Sequence, residues 1–331
     1  MANRYIPVTP EEAEEEKKGG NIGLPFGLCE KYGIQLPPNA RPRDAWEALK
    51  NKTGLSPEDF YRDLRQKEKK EKSAKVKNAE TAKEFTFAKT VQEAEMFARD
   101  TLGIEKADYK GLDLEVANEM NDAIRRGMNF CPQIKERMKS VGNAQRVNKA
   151  FREEYARAVE EHYRKFYPEG SDSFYKQIGK KTANKVVSKM PATAIALART
   201  GKHPVAELNA VIKKYEGIIA NEKLCNNGQR LRDILEFNKQ TGFLSVGTIA
   251  GTLDHEVAHQ IDFALGLSKN AELVKLFNSM SKQEIASGLS RYGAGNVSEF
   301  IAEGWAEYCN SNSPRPIAKR IGEIIEKEAN R

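Results

Sequence analysis

Gly251-Thr-Leu-Asp-His255-Glu256-Val-Ala-His259-Gln-Ile-Asp262 decides how this chain is read. Two of the four histidines of the whole sequence stand four residues apart here, with a glutamate between them. On a helix, positions i and i+4 lie about 40° apart around the axis, so both imidazoles leave one face and can share a metal. Glu256 follows the first histidine, where its carboxylate can take a proton from a water activated by that metal. Ile249, Leu253, Val257, Ile261 and Leu265 recur every fourth residue roughly opposite the histidines. The spacing predicts a helix with one face on a core and the other on a cleft. A bare HExxH also arises by accident, as a helix carrying two unrelated histidines, so the rest of the chain has to discriminate.

A catalytic zinc commonly takes three protein ligands and leaves a fourth position open. Asp262, three residues past His259, is one candidate. A hydrogen bond to an imidazole from outside the ligand set is at least as natural a role for it. The stronger candidate lies in Ser290-Arg-Tyr292-Gly-Ala-Gly-Asn-Val-Ser-Glu299-Phe-Ile-Ala-Glu303-Gly-Trp-Ala-Glu-Tyr308. From Asn296 onward Val297, Phe300, Ile301, Trp305 and Tyr308 make one apolar face, while Glu299 and Glu303 stand together on another. Glu299 on this second helix completes a His2Glu set. Asn296-Val-Ser-Glu299 also reads as a capping box, which would turn Glu299 back to its own backbone. Glu303 is either a solvated neighbour or a partner that orients a histidine, and Glu307 is expected to face solvent without a role.

The two segments together, His-Glu-x-x-His-x-x-Asp and then Leu-Ser-x-Tyr-Gly-x-x-Asn-x-x-Glu-Phe-x-Ala-Glu, resemble the anthrax lethal factor-like gluzincin peptidases. That family includes secreted Pro-Pro endopeptidases and many phage or mobile-element proteins. The likeness spans roughly residues 243 to 310. It implies one catalytic zinc held by His255, His259 and Glu299, with Glu256 as catalytic base. It also implies that the Tyr292 hydroxyl stabilises the tetrahedral oxyanion, a role that suits a phenol held near a Lewis acid. Asp262 and Glu303 become outer partners of the ligands. Gly304-Trp305 stands where the family usually has alanine before an aromatic, and Ala258 where a glycine often precedes the second histidine. Both departures read as packing variation.

Composition bounds the rest. The chain has 331 residues, 39% hydrophobic and 31% charged, with a formal net charge of +7. That length accommodates one catalytic domain and appendages. No window approaches 18 apolar residues, so no membrane span is expected, and the N-terminus lacks the apolar core of a signal peptide. Cys29, Cys131, Cys225 and Cys309 are scattered without a CxxC pair, which suits free thiols in a reducing cytoplasm. A cytoplasmic, phage-type protein is the expectation. Much of the positive excess lies in Arg62 to Lys83. Glutamates interleave it and aromatics are scarce, so a solvated helix or linker is favoured over a nucleic-acid surface.

Four parts are expected. Residues 1–20 form a disordered acidic N-terminus. Residues 21–65 form a small helical module, with helices at Arg43 to Asn51 and from Ser56, suited to docking a protein partner. Residues 66–85 form a charged linker. Residues 86–331 form an α+β, zincin-like metallopeptidase domain with a small mixed sheet. Helical spacing covers Val91 to Leu102, Leu112 to Met128, Ala144 to Tyr167 and Ile317 to Ala329. Strand-like runs appear at Asn184 to Met190, Ala192 to Arg199 and Tyr215 to Asn221. The run Gly217-Ile218-Ile219-Ala220-Asn221 is read either as a strand that flanks the cleft and pairs with extended substrate, or as an ordinary central strand. The expected activity is zinc-dependent cleavage of a peptide or protein substrate. The alternative is a catalytically silent zincin-fold structural or adaptor protein of a phage or mobile element.

Overall fold

The structure, a computed structural model, describes residues 29, 33–37, 40 and 42–54, and residues 86–330 apart from 188. The expected acidic N-terminus, the helix from Ser56 and the charged linker lie outside the described residues. The chain divides into two compact units, Met1–Glu84 and Phe85–Arg331. In the first, helix α1 (Pro42–Thr53) covers the helix expected from Arg43. Its Ala45 and Leu49, together with Cys29, are almost wholly buried.

The second unit is α+β, and its sheet carries the site. Strands β1 (Lys106–Asp108), β2 (Ser140–Asn143), β3 (Ala196–Arg199) and β4 (Gly217–Ala220) form a sheet in the order β1-β2-β4-β3. β1, β2 and β4 run parallel, with Ser140 opposite Gly217 and Val141 opposite Ile218. β3 is antiparallel to β4, with Ala196 opposite Ala220. Helix α2 (Val91–Met96) runs on into a π turn at Phe97–Thr101. Then follow α3 (Leu114–Phe130), α4 (Ala144–Phe166), α5 (Asp172–Val186) and α6 (Ala206–Lys213). After β4 come α7 (Glu222–Cys225), α8 (Gly228–Gln240), α9 (Ile249–Leu265) and α10 (Ala271–Asn278). The chain ends with α11 (Lys282–Gly288), α12 (Val297–Asn310) and α13 (Pro316–Ala329), which makes 13 α-helices among the described residues.

Side chains alternate across a strand, so a sheet can bury both faces. Ile218 enters the large core formed with α3, α9 and α12, whereas Ile219 enters a second core with Phe151 and Tyr155 of α4 and Leu208 of α6. The short β4 is therefore covered on both faces and paired on both edges. That explains its unbroken apolar run, and it settles the Gly217–Asn221 alternative: β4 is a central strand and has no edge left for a substrate. Gly217, at φ +144°, is required there because a Cβ would fall 1.9 Å from the carbonyl oxygen of Ser140.

One expected strand is overturned. Asn184 to Val186 close α5, because the Ser171 side chain accepts from the Phe174 N–H and starts a helix that buries Tyr175 and Ala183. The β-branched pair Val186-Val187 ends this helix and begins no strand. Among the described residues no helix is long and apolar enough to cross a membrane.

Candidate metal centre

α9 starts where the Thr248 hydroxyl accepts from the Gly251 N–H and stops at Gly266, whose φ of +69° is open to glycine at little cost. The helix packs against α3, α12 and β3. It is buried on nearly every side, so its polar residues must find partners inside the protein. Asp254 is 2% exposed and receives the Arg126 guanidinium at 2.9 and 3.0 Å and the Asn310 amide at 2.7 Å. Asp254 thus ties α9 to α3 through Arg126 and to the end of α12 through Asn310.

The next residue opens the site. His255 Nε2 lies 3.2 Å from His259 Nε2, and Glu299 Oε2 lies 3.1 Å from the first and 3.4 Å from the second. Glu299 reaches them because the Asn296 side chain caps α12 by accepting from the Glu299 N–H at 3.0 Å. The glutamate side chain does not fold back on the cap; it turns to the histidines. Its Oε2 is buried, and the nearby groups it faces are the two imidazoles. His255 Nε2, His259 Nε2 and Glu299 Oε2 thus form a nearly equilateral triangle, and this group could hold a metal ion. Tetrahedral bonds of about 2.0–2.1 Å set ligand atoms about 3.3 Å apart, so the spacing fits a tetrahedral cation such as zinc.

The outer nitrogens are also held. Glu303 Oε1 lies 3.0 Å from His255 Nδ1, and its Oε2 accepts from the Ser245 N–H at 2.6 Å. The Ser245 hydroxyl donates to the Glu303 carbonyl at 2.8 Å, which straps the preceding loop onto α12. His259 Nδ1 lies 3.1 Å from the Ser298 hydroxyl, which donates at 3.1 Å to Asp262 Oδ2. Asp262 Oδ1 accepts from the Ser268 N–H at 2.6 Å. Asp262 therefore acts on His259 through Ser298, while Glu303 touches His255 directly. With both Nδ1 atoms donating, each ring turns Nε2 to the centre, where a bound metal would replace any proton.

Electrostatics agree with the geometry. Burial alone would lower the pKa of His255, but the Glu299 and Glu303 carboxylates reverse this and raise it to about 10. Burial raises and the two imidazoles more than offset it for Glu299, whose carboxyl ends well below the usual carboxylate range.

Glu256 Oε2 accepts from the Ala198 N–H of β3 at 2.5 Å, which places this carboxylate at the sheet edge. The Tyr292 ring stacks on His255 with centroids 5.6 Å apart and leans on Phe243 at 5.4 Å. Its N–H donates to the Phe243 carbonyl at 3.0 Å, so the glycine-rich turn is anchored to the loop after α8. Burial and the nearby Glu299, Glu256 and Glu303 charges raise the phenol pKa, which keeps it a proton donor. All of these residues line one cleft of about 600 Å³.

Its opposite wall is Pro191 and Thr193 to Ala198. The Asn221 N–H donates to the Ile195 carbonyl at 2.8 Å, so in the alternating antiparallel ladder the polar groups of Ala196 and Ala198 point away from β4. β3, not β4, presents a free edge to the cleft. Ser298, Ser245 and this edge were not recognised from the sequence. Only Ser298 carried a signal, as the residue before the third candidate ligand. Glu307 also departs from expectation: it is 5% exposed and accepts from Arg315 at 2.6–3.0 Å, locking α12 to α13. All four cysteines are free thiols, three of them buried. No protein-family model, curated protein or solved structure matches this chain.

Proposed function

We propose that the protein is a zinc-dependent endopeptidase of the lethal factor-like gluzincin type. The observation that carries this reading is the His255, His259 and Glu299 triangle, with edges of 3.1–3.4 Å, lying in one cleft with the Glu256 carboxylate. A zinc held there would polarise a scissile carbonyl and bring the pKa of a bound water down toward about 7.

The chain's own groups supply the remaining chemistry. Glu256, oriented by the Ala198 N–H, removes the proton of the attacking water and delivers it to the leaving amine. The Tyr292 hydroxyl, kept protonated by its acidic neighbours, donates to the oxygen that gains charge. An extended peptide adds to the β3 edge at Ala196, next to the Ala198 N–H that Glu256 already occupies. Leu197, Leu244, Val246 and Phe263 make the adjoining wall apolar, which favours apolar side chains near the cleaved bond.

The test compares wild type with Glu256→Gln on a proteome-derived peptide library. Wild type should cut, stop with a chelator and recover with zinc. Glu256→Gln should bind zinc one to one and release no peptide. Cleavage by the variant at the wild-type rate would end this reading.

A further inference from the structure

A second cavity, of about 780 Å³, lies on the α4 side of the sheet. Its wall includes Arg152, Lys189 and Lys223 together with the amides of Asn148, Asn184 and Asn221, and it includes no carboxylate. Arg199 stands behind this wall. Its Nη2 donates to Asn148 Oδ1, its guanidinium lies 5.4 Å from the Phe151 ring centre, and its Nη1 is buried without a partner. Burial, and after it the neighbouring Arg152 charge, lowers its pKa to about 10. Among the described residues Arg152 bonds only the Val187 carbonyl, at 3.4 Å, and none of the four cations has a carboxylate partner.

We propose that this cavity binds a small molecule carrying two or more phosphate groups. Arg152, Lys189 and Lys223 line the cavity with Arg199 behind them, and a polyanion held there would offset their like charge. The Arg152 guanidinium and the two lysine ammonium groups match phosphate oxygens as charged donors. The positive end of the 23-residue α4 opens on the same space through Ala144 and Gln145. A volume in the range of about 300–1,000 Å³ suits a small ligand. No aromatic ring lines the cavity, so it lacks the stacking platform of a single-strand nucleic-acid site.

The cavity backs onto the metal cleft. Met190 and Ala192 face it, whereas Pro191 and Thr193 face the cleft. Asn221 holds this shared segment by donating to the carbonyls of Pro191, Ala192 and Ala194 at 2.9–3.3 Å. The assignment does not depend on peptidase activity.

Calorimetric titration of the full chain with inorganic tripolyphosphate at physiological ionic strength tests it. One saturable site is expected, weakened about tenfold or more in Lys189→Ala/Lys223→Ala by loss of two charge-assisted contacts. Both lysines are exposed, so the fold should survive, and circular dichroism checks this. Lys275→Ala/Lys319→Ala removes the same charge from exposed positions outside the cavity and should bind as wild type. Absence of saturable binding, or equal weakening in both double variants, overturns the proposal. So does binding of a single-stranded oligonucleotide without binding of tripolyphosphate.

Discussion

Glu303 bridges the His255 imidazole and the Ser245 backbone: one carboxylate oxygen lies 3.0 Å from Nδ1 and the other accepts from the N–H at 2.6 Å. The bridge sets the ring's tautomer and fixes the loop that walls the cleft. Glu303→Gln replaces one acceptor by a donor aimed at a donor. Metal affinity should fall about 10- to 100-fold, as for other partners of metal-bound histidines. Competition with a chelator of known affinity measures this, and an unchanged affinity would assign Glu303 to packing alone.

Tyr292→Phe removes one hydroxyl and keeps the ring that stacks on His255 at 5.6 Å. If the hydroxyl serves the transition state, kcat should drop by roughly 10²–10³ with KM nearly unchanged. A rise in KM at constant kcat would instead place it in substrate binding.

The metal-free protein should be alkali-sensitive. His255 has a folded pKa raised to about 10, against about 6.5 for the unfolded chain. A raised value stabilises the fold fully below the unfolded pKa, and that contribution disappears as pH climbs through the folded one. Melting temperature in the presence of chelator should therefore decline between about pH 7 and pH 10, and His255→Gln should lack this decline. Metal affinity should run the opposite way and rise with pH, because the ligand must shed its proton. Parallel melting curves for wild type and variant would refute the assignment.

Arg126→Met leaves Asp254, 2% exposed, with only the Asn310 amide. Leaving a buried acceptor short of its partner costs about 1–3 kcal/mol, and urea denaturation should show a loss of that order. Pairing it with Asp254→Asn should recover part of the loss, since the orphaned charge is then removed as well.

Gly304 has a packing reason. A Cβ there would sit 2.3 Å from Ile321 Cδ1 and 3.0 Å from both Cβ and Cγ2, so α13 could not keep its distance from α12. Gly304→Ala should destabilise by about 1–3 kcal/mol despite its better helix propensity. A gain in melting temperature would show that α13 yields freely.

Legibility followed the range of the interactions involved. Helices α3, α4, α9, α12 and α13 were readable because apolar residues at helical spacing and local caps act over a few residues. β1 and β2 were not readable: Lys106–Asp108 and Ser140–Asn143 are short, include Ser140, Gly142 and Asn143, and become strands only by pairing with each other and with β4. α5 was hidden because Val186-Val187 imitates a strand, while the capping Ser171 lies well upstream.

The same division runs through the site. His255, Glu256 and His259 share a helix face through covalent spacing, so their neighbourhood was fixed before any tertiary contact formed. Glu299 could be named from the second helix and Tyr292 from the resemblance, but only packing of α12 on α9 brings Glu299 Oε2 to 3.1 Å from His255 Nε2. Packing also decided that Asp262 acts through Ser298, and that Glu307 is buried against Arg315. It placed the free edge of β3, in preference to the apolar run of β4, beside Glu256. The cause is general: periodicity is a property of neighbouring residues, whereas an edge, a charge partner or a cavity exists only once distant segments exclude water together.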